Sequence, residues 1–137
     1  MLPTANTPSY MTDVFEVFGR VKGGFTYVSD MELHGVREDW RFPENVDNFE
    51  GDCDDFAIAC RMLLKEKGHN CRLVFCRTET GGGHLICAIG KMVLDNRMNF
   101  PVEIRYLQQR GYEFISASGL QPEDDWHEIV GISFKQS

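Results

Sequence analysis

The sequence has no Lys/Arg-rich run, no internal repeat and no low-complexity tract. No apolar run approaches the roughly 20 residues that cross a bilayer. Each absence excludes a class of function. Without a basic patch, and with a net charge of −7 over 137 residues and a pI near 5.0, nucleic acid is not the expected partner. Without a long apolar run, neither is a membrane. Residues 1–12 are rich in Thr, Pro and Asn. They carry no basic n-region and no apolar h-region, so no secretory signal is expected there. The expected location is therefore cytoplasmic, with a virion-associated protein or export by another route as alternatives. A bacterial or phage origin stays open.

Cysteine is present without a framework. The five cysteines, 53, 60, 71, 76 and 87, are odd in number and irregularly spaced, and no C-x-x-C occurs. Neither a disulfide scaffold nor a zinc site is expected, and a reducing compartment is the simpler reading. Cys60, Cys76 and Cys87 lie in apolar patterns and read as small core residues.

What remains is an ordinary globular composition for one domain, 1–137, with residues 1–12 as a flexible or extended N-terminal segment. Residues 10–22 carry apolar side chains at helical spacings, with Ser9 or Thr12 as a cap and Gly23-Gly24 as a stop. Phe25 to Asp30 is β-prone, and residues 31–50 read as a long irregular connection. Cys53 to Lys67 is the clearest helix. Phe56, Ala59, Cys60, Leu63 and Leu64 form its apolar stripe, Arg61, Lys65, Glu66 and Lys67 lie outside it, and Gly68 follows as a C-cap. Strands are expected at 72–78, 84–89 and 92–96, joined by turns at Gly81-Gly82-Gly83 and Gly90-Lys91. A turn or short helix at 101–110 precedes strands at 112–117 and 128–134. Helices followed by a strand meander give an α+β fold, a helix packed on an antiparallel sheet.

The chemistry sits in Gly51-Asp52-Cys53-Asp54-Asp55-Phe56-Ala57. A thiol at a helix N-terminus lies where backbone N–H groups converge and the dipole favours an anion. Cys53 is thus the candidate nucleophile, and its own N–H a candidate oxyanion donor. His84, after three glycines, is the candidate base. Asp95, after the next strand, is the group that orients it. Asp52, Asp54 and Asp55 crowd the thiol with negative charge, which opposes thiolate formation. They serve either as helix-start stabilisers or, for Asp52 and Asp54, as ligands to a hard cation such as calcium.

These residues resemble the bacterial transglutaminase-like cysteine proteinases, within the wider transglutaminase-like, papain-fold superfamily. Phe25-Thr26-Tyr27-Val28-Ser29-Asp30, Trp40-Arg41-Phe42-Pro43-Glu44 and the Gly51–Ala57 block look like consecutive family landmarks. Gly83-His84-Leu85 and Val93-Leu94-Asp95-Asn96 look like its histidine and aspartate strands, and Tyr112-Glu113-Phe114 and Trp126 are similar to its closing strands. The resemblance implies a central helix carrying Cys53 against an antiparallel sheet carrying His84 and Asp95. It implies a cysteine peptidase acting on protein or peptide substrates, with Trp40 walling the cleft or else a plain core residue. It also strengthens calcium at Asp52 and Asp54. Transglutaminase-type acyl transfer to an amine, and a non-catalytic binding or structural module on the same fold, are the alternatives.

Overall fold

The computed structural model describes residues 9–28, 43–121 and 124–129. Trp40 and the rest of 29–42 lie outside the described residues, as do 130–137.

The first helix, α1 (Ser9–Gly24), turns Val14, Val17, Phe18 and Val21 inward. It begins before the expected boundary, so residues 9–12 belong to its first turn and not to an extended segment. A short strand, β1 (Phe25–Tyr27), follows. It pairs in parallel with β2 (Phe49–Gly51), placing Tyr27 opposite Gly51. The second of these strands falls where an irregular connection was expected. Three residues without alternating hydrophobicity give no period to detect.

The central helix, α2 (Cys53–Glu66), starts at the expected residue. Phe56, Ala57, Ala59, Cys60, Leu63 and Leu64 are all buried. Phe56 meets Phe18 and Phe25 edge-on, with ring centroids 5.6 and 5.2 Å apart. This joins α1, β1 and α2, and burying a ring of that size contributes about 1.5–3 kcal/mol. Lys67 is the C-cap, and Gly68 beyond it takes the left-handed conformation at φ 93°. The Gly68 and His69 N–H groups close back on Lys65 and Leu64 carbonyls, the glycine-dependent helix stop. Arg61 departs from expectation. It is buried and donates to the Gly119 carbonyl at 3.1 Å. Its long stem crosses the apolar face while its guanidinium pins the segment at Gly119, past residue 117 and before residue 127.

The sheet is an antiparallel meander: β3 (Arg72–Arg77), β4 (Gly83–Ile89), β5 (Met92–Leu94) and β6 (Val102–Glu103). After the short helix α3 (Ile104–Arg110), β7 (Glu113–Ala117) returns to β3, and β8 (His127–Glu128) closes the edge. The order is β6-β5-β4-β3-β7-β8. One face, with Leu73, Leu85, Cys87 and Leu94, packs on α1 and α2. The other, with Val74, Cys76, Ile86 and Val93, packs on Leu107 and Tyr112. All five cysteines are free thiols, and only Cys53 is not fully buried.

Candidate active site

The Gly51–Asp55 block is built around the start of α2. Asp52 is the N-cap and accepts from the Asp54 N–H at 3.0 Å. Asp55 reaches back to accept from the Asp52 N–H, also at 3.0 Å. This reciprocal capping box accounts for Asp55 and for part of Asp52. It also explains Gly51, because any Cβ there would run into the Asp55 carboxylate. Cys53 is thereby fixed as the first helical residue, with an N–H the helix itself does not use.

The Cys53 sulfur has two neighbours of opposite effect. Its S–H donates to Asp54 Oδ1 at 3.6 Å, and the Leu85 backbone N–H reaches it from β4. Burial first, and then the charges of Asp54 and Asp52, push the thiol well above its ordinary value against the smaller pull of Leu85. Cys53 rests as a thiol.

The Leu85 N–H is available because the sheet is incomplete there. The Thr78 N–H donates to the Gly82 carbonyl, and hydrogen-bonded pairs alternate along an antiparallel ladder. The Phe75–Leu85 pair is therefore a non-bonded one, and the Leu85 N–H points away from β3, toward β5. But β5 ends at Leu94, opposite Cys87. The next strand has stopped, and α2 brings the sulfur to the vacated edge.

The chain that leaves β5 forms a tight turn. The Met98 N–H donates to the Asp95 carbonyl at 2.9 Å, and Lys22 from α1 donates to the Asn96 carbonyl at 2.6 Å. The turn carries the Asp95 carboxylate back over β4. There Asp95 Oδ1 lies 2.7 Å from His84 Nε2, both groups being buried, with relative exposures of 0 % and 6 %. Asp95 Oδ1 also accepts from the Arg97 N–H at 2.9 Å, and Oδ2 accepts from the Tyr112 hydroxyl at 2.7 Å. Burial would raise the Asp95 carboxyl, but His84, Arg97 and Tyr112 outweigh it and hold the group below the usual carboxylate range. An ionised carboxylate only accepts, so the ring proton sits on Nε2. Nδ1 is then the basic nitrogen.

His84 and Asp95 come together, as their spacing predicts. His84 lies on the sheet face away from α2, with Ile86 and Cys76, while the sulfur approaches at the strand edge beside the following residue. The structure thus pairs His84 with Asp95 on that face, whereas the neighbours of the Cys53 sulfur are Asp52, Asp54 and Leu85, the residue after His84. Asp52 and Asp54 flank the sulfur, and one oxygen from each lies within 4.8 Å of it and of the other. Tyr112, Arg97 and Glu79 were not expected in the site. Arg97 donates to Tyr112 Oη at 2.8 Å and to both Glu79 oxygens, at 3.1 and 2.8 Å. The sequence signal was faint: a Tyr just before a strand, and an Arg two residues after the aspartate.

The chain is similar to known proteins. The profile of a family described as bacterial transglutaminase-like cysteine proteinase, BTLCP, matches residues 2–133. No curated protein sequence matches the chain. Among solved structures the chain is similar to Legionella pneumophila LapG, at 17% identity and TM-score 0.68, over 91% of this chain and 71% of LapG. A calcium-bound LapG gives TM-score 0.66 at 17% identity, over 90% and 75% of the two chains. An EGTA-treated form gives 0.69 at 17% identity, over 90% and 69%. These likenesses establish a shared fold, and the profile match over nearly the whole chain makes this protein a member of the bacterial transglutaminase-like cysteine proteinases, a family of cysteine peptidases.

Proposed function

We propose that this chain hydrolyses peptide bonds through Cys53, His84 and Asp95 by way of an acyl-enzyme. The observation that carries the reading is the buried 2.7 Å pair between His84 Nε2 and Asp95 Oδ1. It leaves Nδ1 as the base, at the edge where the sulfur meets the residue next to His84. Cys53 rests as a thiol, so its proton must move to His84 as the sulfur attacks the scissile carbonyl carbon. The Cys53 N–H at the helix start is placed to receive the oxyanion. On collapse the C–N bond breaks and the imidazolium gives its proton to the departing amine. Water, deprotonated by the same imidazole, then attacks the thioester carbonyl and releases Cys53 with the acid product.

Calcium at Asp52 and Asp54 belongs to the same proposal. The two carboxylates approach each other beside the sulfur, and one oxygen of Asp52 is already committed to the Asp54 N–H. The carboxylates suit a hard cation, which needs further oxygens from neighbouring groups. When bound, such an ion supplies positive charge that offsets the carboxylates opposing the thiolate.

The test is Cys53→Ala beside Cys60→Ala, each assayed for hydrolysis of fluorescently labelled casein and for thermal melting. Cys53→Ala is expected to abolish turnover and leave the melting transition in place. The assignment fails if Cys53→Ala stays active while Cys60→Ala does not.

A further inference from the structure

We infer that Tyr112 is the positioning residue of the Asp95–His84 pair, held in place by Arg97 and Glu79 in a hydrogen-bonded chain that runs from the protein surface to the imidazole. The direction of each link follows from the groups themselves. A guanidinium can only donate, so Tyr112 Oη accepts from Arg97 at 2.8 Å. Its own proton then goes to Asp95 Oδ2, 2.7 Å away. Arg97 is in turn fixed by the fork it makes on Glu79. That contact holds the Glu79 carboxyl down at about 2.

Arg97 grips the site twice. Its side chain sets Tyr112, with the guanidinium 5.6 Å from the ring centroid, and its backbone N–H sets Asp95 Oδ1. Both carboxylate oxygens are thereby committed, and the carboxylate cannot rotate without breaking a charge-assisted bond. The Tyr112 ring also meets His84 edge-on, 6.1 Å between centroids at 77°. The hydroxyl has no packing purpose. Tyr112 is buried among apolar residues, where a Phe would fill the same volume and spare a buried polar group. Among the described residues, Cys76 from β3 also faces the pair. It donates to the His84 carbonyl at 3.5 Å, and burial raises its thiol to about 12, so it is neutral.

The proposal deepens the reading of His84 as the base, so its test is arranged to stand apart from turnover. The His84 imidazole is titrated by NMR in Cys53→Ala protein, with and without Tyr112→Phe. A carboxylate with one donor fewer keeps more charge for the imidazolium, so the His84 midpoint is expected to rise by about half a pH unit or more. In protein with Cys53 intact, Tyr112→Phe is expected to lower kcat about 10- to 100-fold with KM little changed. A midpoint that stays put or falls overturns the inference, whatever kcat does. Should Tyr112→Phe fail to fold, Arg97→Ala replaces it. That variant keeps the backbone N–H on Asp95 and releases Tyr112 together with Glu79, so a smaller rise is expected and an unmoved midpoint again overturns the inference. Casein hydrolysis surviving Cys53→Ala would sink the peptidase chemistry and leave the titration result intact.

Discussion

Replacing Asp95 with Asn measures what the carboxylate does beyond holding the ring. Asp95 accepts from three donors: His84 Nε2 and the Arg97 N–H on Oδ1, and the Tyr112 hydroxyl on Oδ2. Asparagine keeps the shape and one oxygen. With that oxygen at the Oδ1 position it retains two donors and sets its NH2 against Tyr112. In the opposite orientation it keeps Tyr112 and loses His84 and Arg97. The first orientation is cheaper, so the imidazole keeps its tautomer and loses only the full negative charge beside it. A hydrogen bond to a charged group is worth about 1.5–3 kcal/mol against about 1 for a neutral one. The difference, roughly 0.5–2 kcal/mol, predicts about a 2- to 30-fold fall in kcat. His84→Ala removes the base itself and should cost about 100-fold or more. Both are read from casein hydrolysis at neutral pH. A loss in Asp95→Asn as deep as that in His84→Ala would mean that the amide nitrogen faces the ring and the tautomer has reversed, refuting this accounting. The same variant has a stability signature. The folded Asp95 carboxyl lies below its ordinary value, so its stabilisation is complete above the usual carboxylate range. It is lost as pH falls through the folded value. Thermal melting of Asp95→Asn should lack that part of the acid limb.

Two further outcomes are expected. Asp55→Ala breaks the capping box and frees a Cβ-sized space beside Gly51. It should destabilise the protein by about 1 kcal/mol, a fall of roughly 3–5 °C in Tm. An unchanged Tm would show that the box does not hold the helix start. Calcium at about 100 times its Kd should add roughly 2.7 kcal/mol of stability, read as a Tm rise that a chelator reverses and that Asp54→Asn removes. No shift at about millimolar calcium would leave Asp52 and Asp54 as residues of the helix start alone.

The helix α2 was legible because two independent signals coincide, an apolar stripe of helical period and acidic residues ahead of it. The hairpins were legible because glycines mark their turns. The elements that carry Cys53, His84 and Asp95 could be placed because each residue marks a local boundary: a helix start, a strand start and a strand end. The β2 strand was not legible, since its partner β1 lies more than twenty positions upstream and a parallel pair leaves no turn between its strands. Arg61 was misplaced for a different reason. A guanidinium reads as a surface group until one knows that the Gly119 carbonyl waits for it inside. Tyr112 and Arg97 were invisible as site residues because their role lies in one hydroxyl and one fork, and no spacing rule predicts that a residue after α3 will meet one after β5.

The bond from Lys22 to the Asn96 carbonyl spans 74 positions, and it bears on how the protein is made. Cys53 is translated well before the turn that carries Asp95, and Tyr112 comes later still. Contacts of such separation close late, after local hairpins and helices have formed. A nascent or truncated chain therefore contains Cys53 before the His84–Asp95 pair can form. Under the proposed chemistry, such a chain is expected to stay inactive until synthesis has passed Tyr112 and α1 has docked.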